Sequence, residues 1–445
     1  MKADLVIKSN RILTPNGFVD GFLLIKDEKI LDITKTYTEN SFHDVGNSVV
    51  MAGIVDSHVH VNEPGRTDWE GFETATKAAA AGGITTLVDM PLNCSPVTVS
   101  EKALNIKLEA IKGKLWVDCG FWGGVIPNNL DELEKLLKAG VLGCKAFLID
   151  SGIDEFPNAN KKDLQEAMPI LKKYNVPLLV HAELEDEASK NFVYTDSKSY
   201  QNFLDSRPKS LEDNAINLVI ELCKENHCRT HIVHLSSADA LNSINEAKKS
   251  GLPFSVETCP HYLTFSAEEI DDGDTRFKCC PPIREKSNNE KLWDGVKNGT
   301  IDFIVSDHSP CTANLKLMEA GDIEKAWGGI SGLQFSLSLI WTEAKKREIS
   351  IETLSDLMSV KTAEFIGLAN TKGKISKGFD ADLLIWNPEE EFVIEEKMIQ
   401  HKNKVTPYLN KKLFGVVKET YLRGNKIYEN GNFINKPIGD FLLKK

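Results

Sequence analysis

Two histidines one residue apart close an apolar run, Ile54-Val55-Asp56-Ser57-His58-Val59-His60. Side chains on a β-strand repeat their direction every two residues, so both imidazoles leave one face together. A pair of neutral imidazoles suits a transition metal, zinc first among them. Four further apolar runs end in, or contain, a group with the same coordination chemistry: Lys145, His181, His234 and Asp307. Each of these histidines, and Asp307, taken alone reads first as a hydrogen-bonded core histidine or a helix-capping aspartate. Together they point to a metal centre of the kind that serves hydrolysis.

Lys145 sits inside Leu142-Gly143-Cys144-Lys145-Ala146-Phe147-Leu148, a run that otherwise reads as a buried strand. A lone ammonium there is costly unless neutralised or paired. One solution is reaction of the neutral amine with carbon dioxide. The resulting carbamate anion could bridge two metal ions about 3.5–4 Å apart. The alternative is a lysine that snorkels to a cavity mouth or pairs with a carboxylate.

These residues need a scaffold that brings run ends together. After residue 53 the pattern alternates buried strands with helices. The predicted strands follow the run at 54–60 as Ile84–Asp89, Leu115–Ile126, Val141–Ile149, Val176–Glu183, Thr230–Ser236, Pro253–Cys259 and Ile301–Ser306. Helices are expected at Trp69–Ala81, Leu130–Ala139, Leu211–Lys224 and Glu290–Lys297. This beat fits a (β/α)8 barrel, in which active residues occupy the C-terminal strand ends. His58, His60, His181, His234 and Asp307 all obey that rule. His231 precedes His234 by an odd step and should face elsewhere; His43, His227 and His401 read as structural or solvated. Short strands, punctuated by Asn, Gly and Pro, precede residue 53 and return after about residue 373. Residues 1–52 and 373–445 are therefore expected to form one small β-sandwich beside a barrel at 53–372.

At 445 residues, with 41% hydrophobic and 27% charged residues, the chain can bury a large core. The net charge of −12, without a dense Lys/Arg block, argues against nucleic acid and anionic membranes as partners. No apolar run reaches membrane-spanning length, and Met1–Asp4 lead directly into a strand-like run, so no secretory signal is expected. Nine cysteines, an odd count with no Cys-x-x-Cys pair, favour reduced thiols and the cytoplasm.

The chain resembles the amidohydrolase superfamily, and within it the cyclic amidases: dihydroorotases, hydantoinases (dihydropyrimidinases) and allantoinases. The resemblance rests on Gly53–His60, Lys145, His181, His234, Ser306-Asp307-His308-Ser309-Pro310 and the string Gly373–Leu383, and it spans essentially the whole chain. It implies a binuclear zinc barrel with a sandwich from both chain ends, Lys145 carbamylated, Asp307 catalytic, and a homotetramer. Dihydroorotases typically carry an arginine two residues after the second metal histidine, to fork onto a substrate carboxylate. Asn62 stands at that position, which favours a neutral substrate. The segments at 62–74, 89–93, 151–157 and 325–332 resemble those of allantoinases rather than hydantoinases, which implies allantoin as substrate. By the same resemblance Asn62 and the backbone at Cys280 and Gly328 would contact it. Many relatives have serine at the position of Cys280. Two other readings stay open: a hydantoinase or dihydropyrimidinase, and a non-catalytic scaffold of the same fold.

Overall fold

A computed structural model describes residues 2–39 and 41–444. Its centre is a closed ring of parallel strands wrapped by helices. The strands at Ile54–Val59, Ile84–Asp89, Asp118–Phe121, Cys144–Phe147, Leu178–His181, Thr230–Ile232, Phe254–Thr258 and Phe303–Ile304 correspond to the eight expected runs. Parallel strands covered on both faces are buried throughout, hence their Val/Ile/Leu-rich sequences. The third strand breaks at Trp122: Asp118–Phe121 pairs with the second strand, and Gly123–Gly124 pairs with the fourth. Near the chain end, Phe441–Leu442 pairs with the edge of Asp118–Phe121 that this break leaves free.

The ring closes between its eighth and first strands without a regular ladder. A parallel bridge joins Val59 to His308, and the His60 amide donates to the His308 carbonyl at 2.8 Å. Asp56 completes the seam, one carboxylate oxygen accepting from the Ser306 amide at 3.0 Å and the other from the His58 amide at 3.1 Å.

Both chain ends build a second, nine-stranded sheet. Val49–Ala52 lies at its middle, parallel to Leu5–Thr14 and antiparallel to Leu383–Val393. A buried ion network ties this sheet to the start of the third barrel strand. Lys372 pairs with Asp118 at 2.8 Å and with Asp382 at 2.5 Å, while Arg423 reaches Asp118 at 2.5 Å. The junction lies at the opposite end of the strands from the histidines, whose rim stays open.

Element boundaries depart from expectation where tertiary contacts intervene. The helix expected from Trp69 begins at Phe72. Gly71 is extended, and the Glu63 carboxylate takes the Phe72 amide at 2.9 Å, an N-terminal cap supplied from outside the helix. Among the described residues no helix is long and apolar enough to cross a membrane.

Candidate metal centre

The six singled-out side chains converge on one rim. His58 Nε2 lies 3.1 Å from Asp307 Oδ1, and His60 Nε2 lies 3.7 Å from the same oxygen. His181 Nδ1 lies 2.9 Å from His234 Nε2. Lys145 Nζ stands 3.3 Å from His58 Nε2 and 5.0 Å from the centre of the Phe147 ring. All six are buried.

Carboxylates behind the rim decide which nitrogen faces inward. Glu257, on the seventh strand, accepts from His58 Nδ1 at 2.5 Å and from His231 Nε2 at 3.1 Å. Glu183, two residues beyond the end of the fifth strand, takes His181 Nε2 at 2.8 Å and Arg207 Nη1 at 2.7 Å. The proton is thereby held on the outer nitrogen, and lone pairs at His58 Nε2 and His181 Nδ1 point into the rim. Burial opposes ionisation of both acids, yet His58 and His231 hold Glu257 at about 2, and Arg207 and His181 hold Glu183 at about 2. Burial, then the Lys145 charge, pushes His60 well below the usual histidine range; burial and His181 do the same to His234, whereas at His58 burial is overcome by the Asp307 and Glu257 carboxylates, which raise it. Neutral imidazoles are what a metal requires.

Two observations test whether this donor set fits metal ions. The Nδ1 of His234 is buried without a hydrogen-bond partner, and the atoms of His58, His234 and Asp307 lie within 4.8 Å of one another. The Lys145 Nζ has no hydrogen-bonding contact among the described residues beyond His58, and burial pushes its pKa down to about 8. The set fits divalent metal ions held by histidine and aspartate.

Backbone geometry aims these groups. His234 (φ 41°) and Asp307 (φ 44°) take the left-handed conformation, as do Asn62 (φ 68°) and Asn93 (φ 65°). Asn, Asp and His tolerate that region better than most residues. Each follows a barrel strand, and at His234 and Asp307 the turn swings the side chain at the rim.

Above the rim opens a cavity of about 460 Å3, floored by His60, Lys145, His181, His234 and Asp307. Cys280 and Gly328 face each other on its wall; a Cβ at Gly328 would stand 3.5 Å from Cys280 Sγ. Asn62 lies outside this wall, its Nδ2 donating to the Pro310 carbonyl at 3.3 Å, whereas Asn93 lines it. Sequence reasoning missed Glu183, Glu257, Arg207 and Asn93. Glu257 carried a usable signal, an acid inside the apolar run Phe254-Ser255-Val256-Glu257, the same anomaly that exposed Lys145. His231 faces away from the cavity, stacked on Phe303, but acts on the rim through Glu257.

Residues 49–425 match the sequence profile of the Amidohydrolase family. The chain is 50% identical over 428 residues to a protein named probable allantoinase 2 from Dictyostelium discoideum, covering 92% of this chain and 84% of that one. It is 46% identical to the allantoinase of Streptomyces avermitilis, covering 99% of each. Among solved structures, the L-hydantoinase (dihydropyrimidinase) of Arthrobacter aurescens superposes with a TM-score of 0.93 at 28% identity over 100% of both chains.

Proposed function

The chain belongs to the amidohydrolase family, and from that footing we propose that it is an allantoinase, hydrolysing the hydantoin ring amide of allantoin to give allantoate. The observation that carries the substrate choice is 46% identity across 99% of both chains to the Streptomyces avermitilis allantoinase.

In this reading His58, His60 and Asp307 would hold the inner of two divalent ions, taken as zinc, and His181 and His234 the outer, with Lys145, carbamylated by carbon dioxide, as a ligand to the pair. Such ions supply Lewis acidity to the ring carbonyl and make water acidic enough to attack at neutral pH. Lys145 suits carbamylation because burial brings its pKa to about 8, which leaves a reactive share of free amine at neutrality. Asp307 opens onto the cavity floor. Its carboxylate takes a proton from the attacking water and returns it to the ring nitrogen. A C–O bond forms and the C–N bond breaks; the new carboxylic acid releases its remaining proton to solvent, so a carboxylate stands where the ring amide was. Backbone groups at Cys280 and Gly328 orient the ring and ureido tail, with the Asn93 amide on the wall and Asn62 behind it.

The test is turnover by zinc- and bicarbonate-loaded protein on allantoin, beside hydantoin, dihydrouracil and dihydroorotate. The highest kcat/KM is expected for allantoin. A preference for hydantoin or dihydrouracil would move the assignment to hydantoinase, and no turnover at all would leave a scaffold.

We further propose a cytoplasmic homotetramer; nine unpaired thiols support a reducing compartment. Residues 1–52 and 373–445 are proposed as one domain beside the barrel at 53–372, with Phe441–Leu442 returning to the barrel edge.

A further inference from the structure

Behind the cavity wall lies an ammonium with no carboxylate partner. Lys316 is 4% exposed, and its Nζ donates to three carbonyls: Lys278 at 3.3 Å, Trp327 at 3.0 Å and Gly329 at 2.5 Å. A lysine ammonium has three protons and nothing to accept. Three converging carbonyl dipoles satisfy it completely, which offsets the cost of burying the charge.

The consequence lies on the other side of those peptides. In a planar trans peptide, the carbonyl of one residue and the N–H of the next point in opposite directions. The Lys278–Cys279 and Trp327–Gly328 peptides are trans. With both carbonyls drawn back to Lys316, the N–H groups of Cys279 and Gly328 point forward. Cys279 and Gly328 line the cavity, and Lys316 does not. Neither amide finds an acceptor among the described residues. The Lys278 carbonyl is shared, also accepting the Gly329 amide at 2.9 Å, whereas among the described residues the Trp327 carbonyl is held by Lys316 alone. Gly329 adopts φ +131°, where a Cβ would meet the Ser309 carbonyl oxygen at 2.4 Å.

We propose that Lys316 is a positioning residue: by drawing the Lys278 and Trp327 carbonyls behind the wall, it turns the amides of Cys279 and Gly328 into the cavity to hold a carbonyl oxygen of the substrate. The substrate's identity as a cyclic amide rests on the function proposed above; the role of Lys316 rests on the geometry alone. Two preset donors that bind ground and transition states alike lower KM more than they raise kcat.

The experiment compares wild type with Lys316→Met, which keeps the volume of the side chain and removes its donors. Metal content, melting temperature, KM and kcat are measured on metal-loaded protein. KM for allantoin should rise about tenfold or more, with kcat changed less and metal content unchanged. A lower melting temperature with unchanged KM, or loss of the metal ions, would overturn the proposal. If Lys316→Met does not fold, Lys316→Arg carries the comparison. It keeps the charge, but its planar fork cannot serve three carbonyls that meet at one point, so a raised KM is again expected and an unchanged one refutes. A wild type inert on allantoin sinks the substrate reading only. The same comparison is then made on hydantoin or dihydrouracil, and inertness toward all three overturns both proposals.

Discussion

Replacing Glu257 separates charge from shape at the metal centre. Its carboxylate accepts two hydrogen bonds, from His58 Nδ1 and His231 Nε2. Glutamine has nearly the same shape but offers one acceptor oxygen and one –NH2 group, so one histidine must change tautomer. His231 can do so easily, because its Nδ1 faces the Ser255 hydroxyl at 2.8 Å, which accepts or donates by rotating. The amide oxygen then stays with His58 Nδ1, and the inward lone pair at Nε2 survives. Only the negative charge behind the ring is lost. Losing the partner that orients a metal-ligating histidine costs about 10- to 100-fold in metal affinity. Glu257→Gln belongs at the lower bound, about tenfold or about 1.4 kcal/mol. Glu257→Leu removes the acceptor from both rings, frees the His58 proton to move to Nε2, and belongs at about 100-fold or beyond. The assay is equilibrium dialysis against graded chelator, with metal per chain counted by emission spectroscopy. Equal losses in the two variants would refute the tautomer argument, and wild-type affinity in both would remove Glu257 from the site altogether. Ser255→Val should deepen the glutamine defect, because His231 then has no rotating hydroxyl to follow it.

Asp307→Asn should keep most of its metal yet lose about 10²- to 10⁴-fold in kcat, because an amide cannot shuttle the proton; atomic emission beside steady-state kinetics reads both, and near-normal kcat would strip Asp307 of that role. Lys145→Ala should lose metal and turnover together and regain part of each in acetate or propionate, small carboxylates able to stand in for a carbamate; rescue that fails while zinc still binds would count against carbamylation. Lys372→Met leaves Asp118 and Asp382 buried without their shared cation and should cost about 3–5 kcal/mol in denaturant unfolding, with kcat per folded molecule unchanged; a loss below about 1 kcal/mol would show that Arg423 suffices.

How much could be read from the sequence depended on how far each signal travels along the chain. Barrel strands are apolar on both faces, so eight runs stand out from amphipathic helices, and their polar ends mark the rim. The residues that tune the rim do not announce themselves this way. Glu257 and His58 are 199 positions apart, and nothing local to either reveals the other. Asn62 and Asn93 each follow a barrel strand and each adopt a left-handed turn. Only the packing of the two loops decides that Asn93 lines the cavity and Asn62 does not. The early start assigned to the helix at Trp69 has the same origin: the true cap is the carboxylate of Glu63, spent on the Phe72 amide from outside any helical pattern.

The strands that carry the chemistry are also the least regular, and this follows from their task. Thr230–Ile232 and Phe303–Ile304 are the shortest of the eight barrel strands, at three and two residues. Each gives way within a few residues to a left-handed turn, at His234 and at Asp307. A non-glycine residue in that region costs about 1–2 kcal/mol relative to ordinary backbone, and strand pairing is forfeited where it occurs. The eighth strand would be too short to close the ring by its own ladder. Asp56 supplies the missing seam from the first strand, its carboxylate bonding the Ser306 amide directly before Asp307. Burial pushes Asp56 up to about 6, and the hydrogen bonds from Ser306 and His58 keep it from rising further. The residue two places before the first rim histidine therefore fixes the backbone from which the rim aspartate projects. That coupling explains why an aspartate stands inside an otherwise apolar strand. Without it, the turn that aims Asp307 would have no rigid edge to turn from.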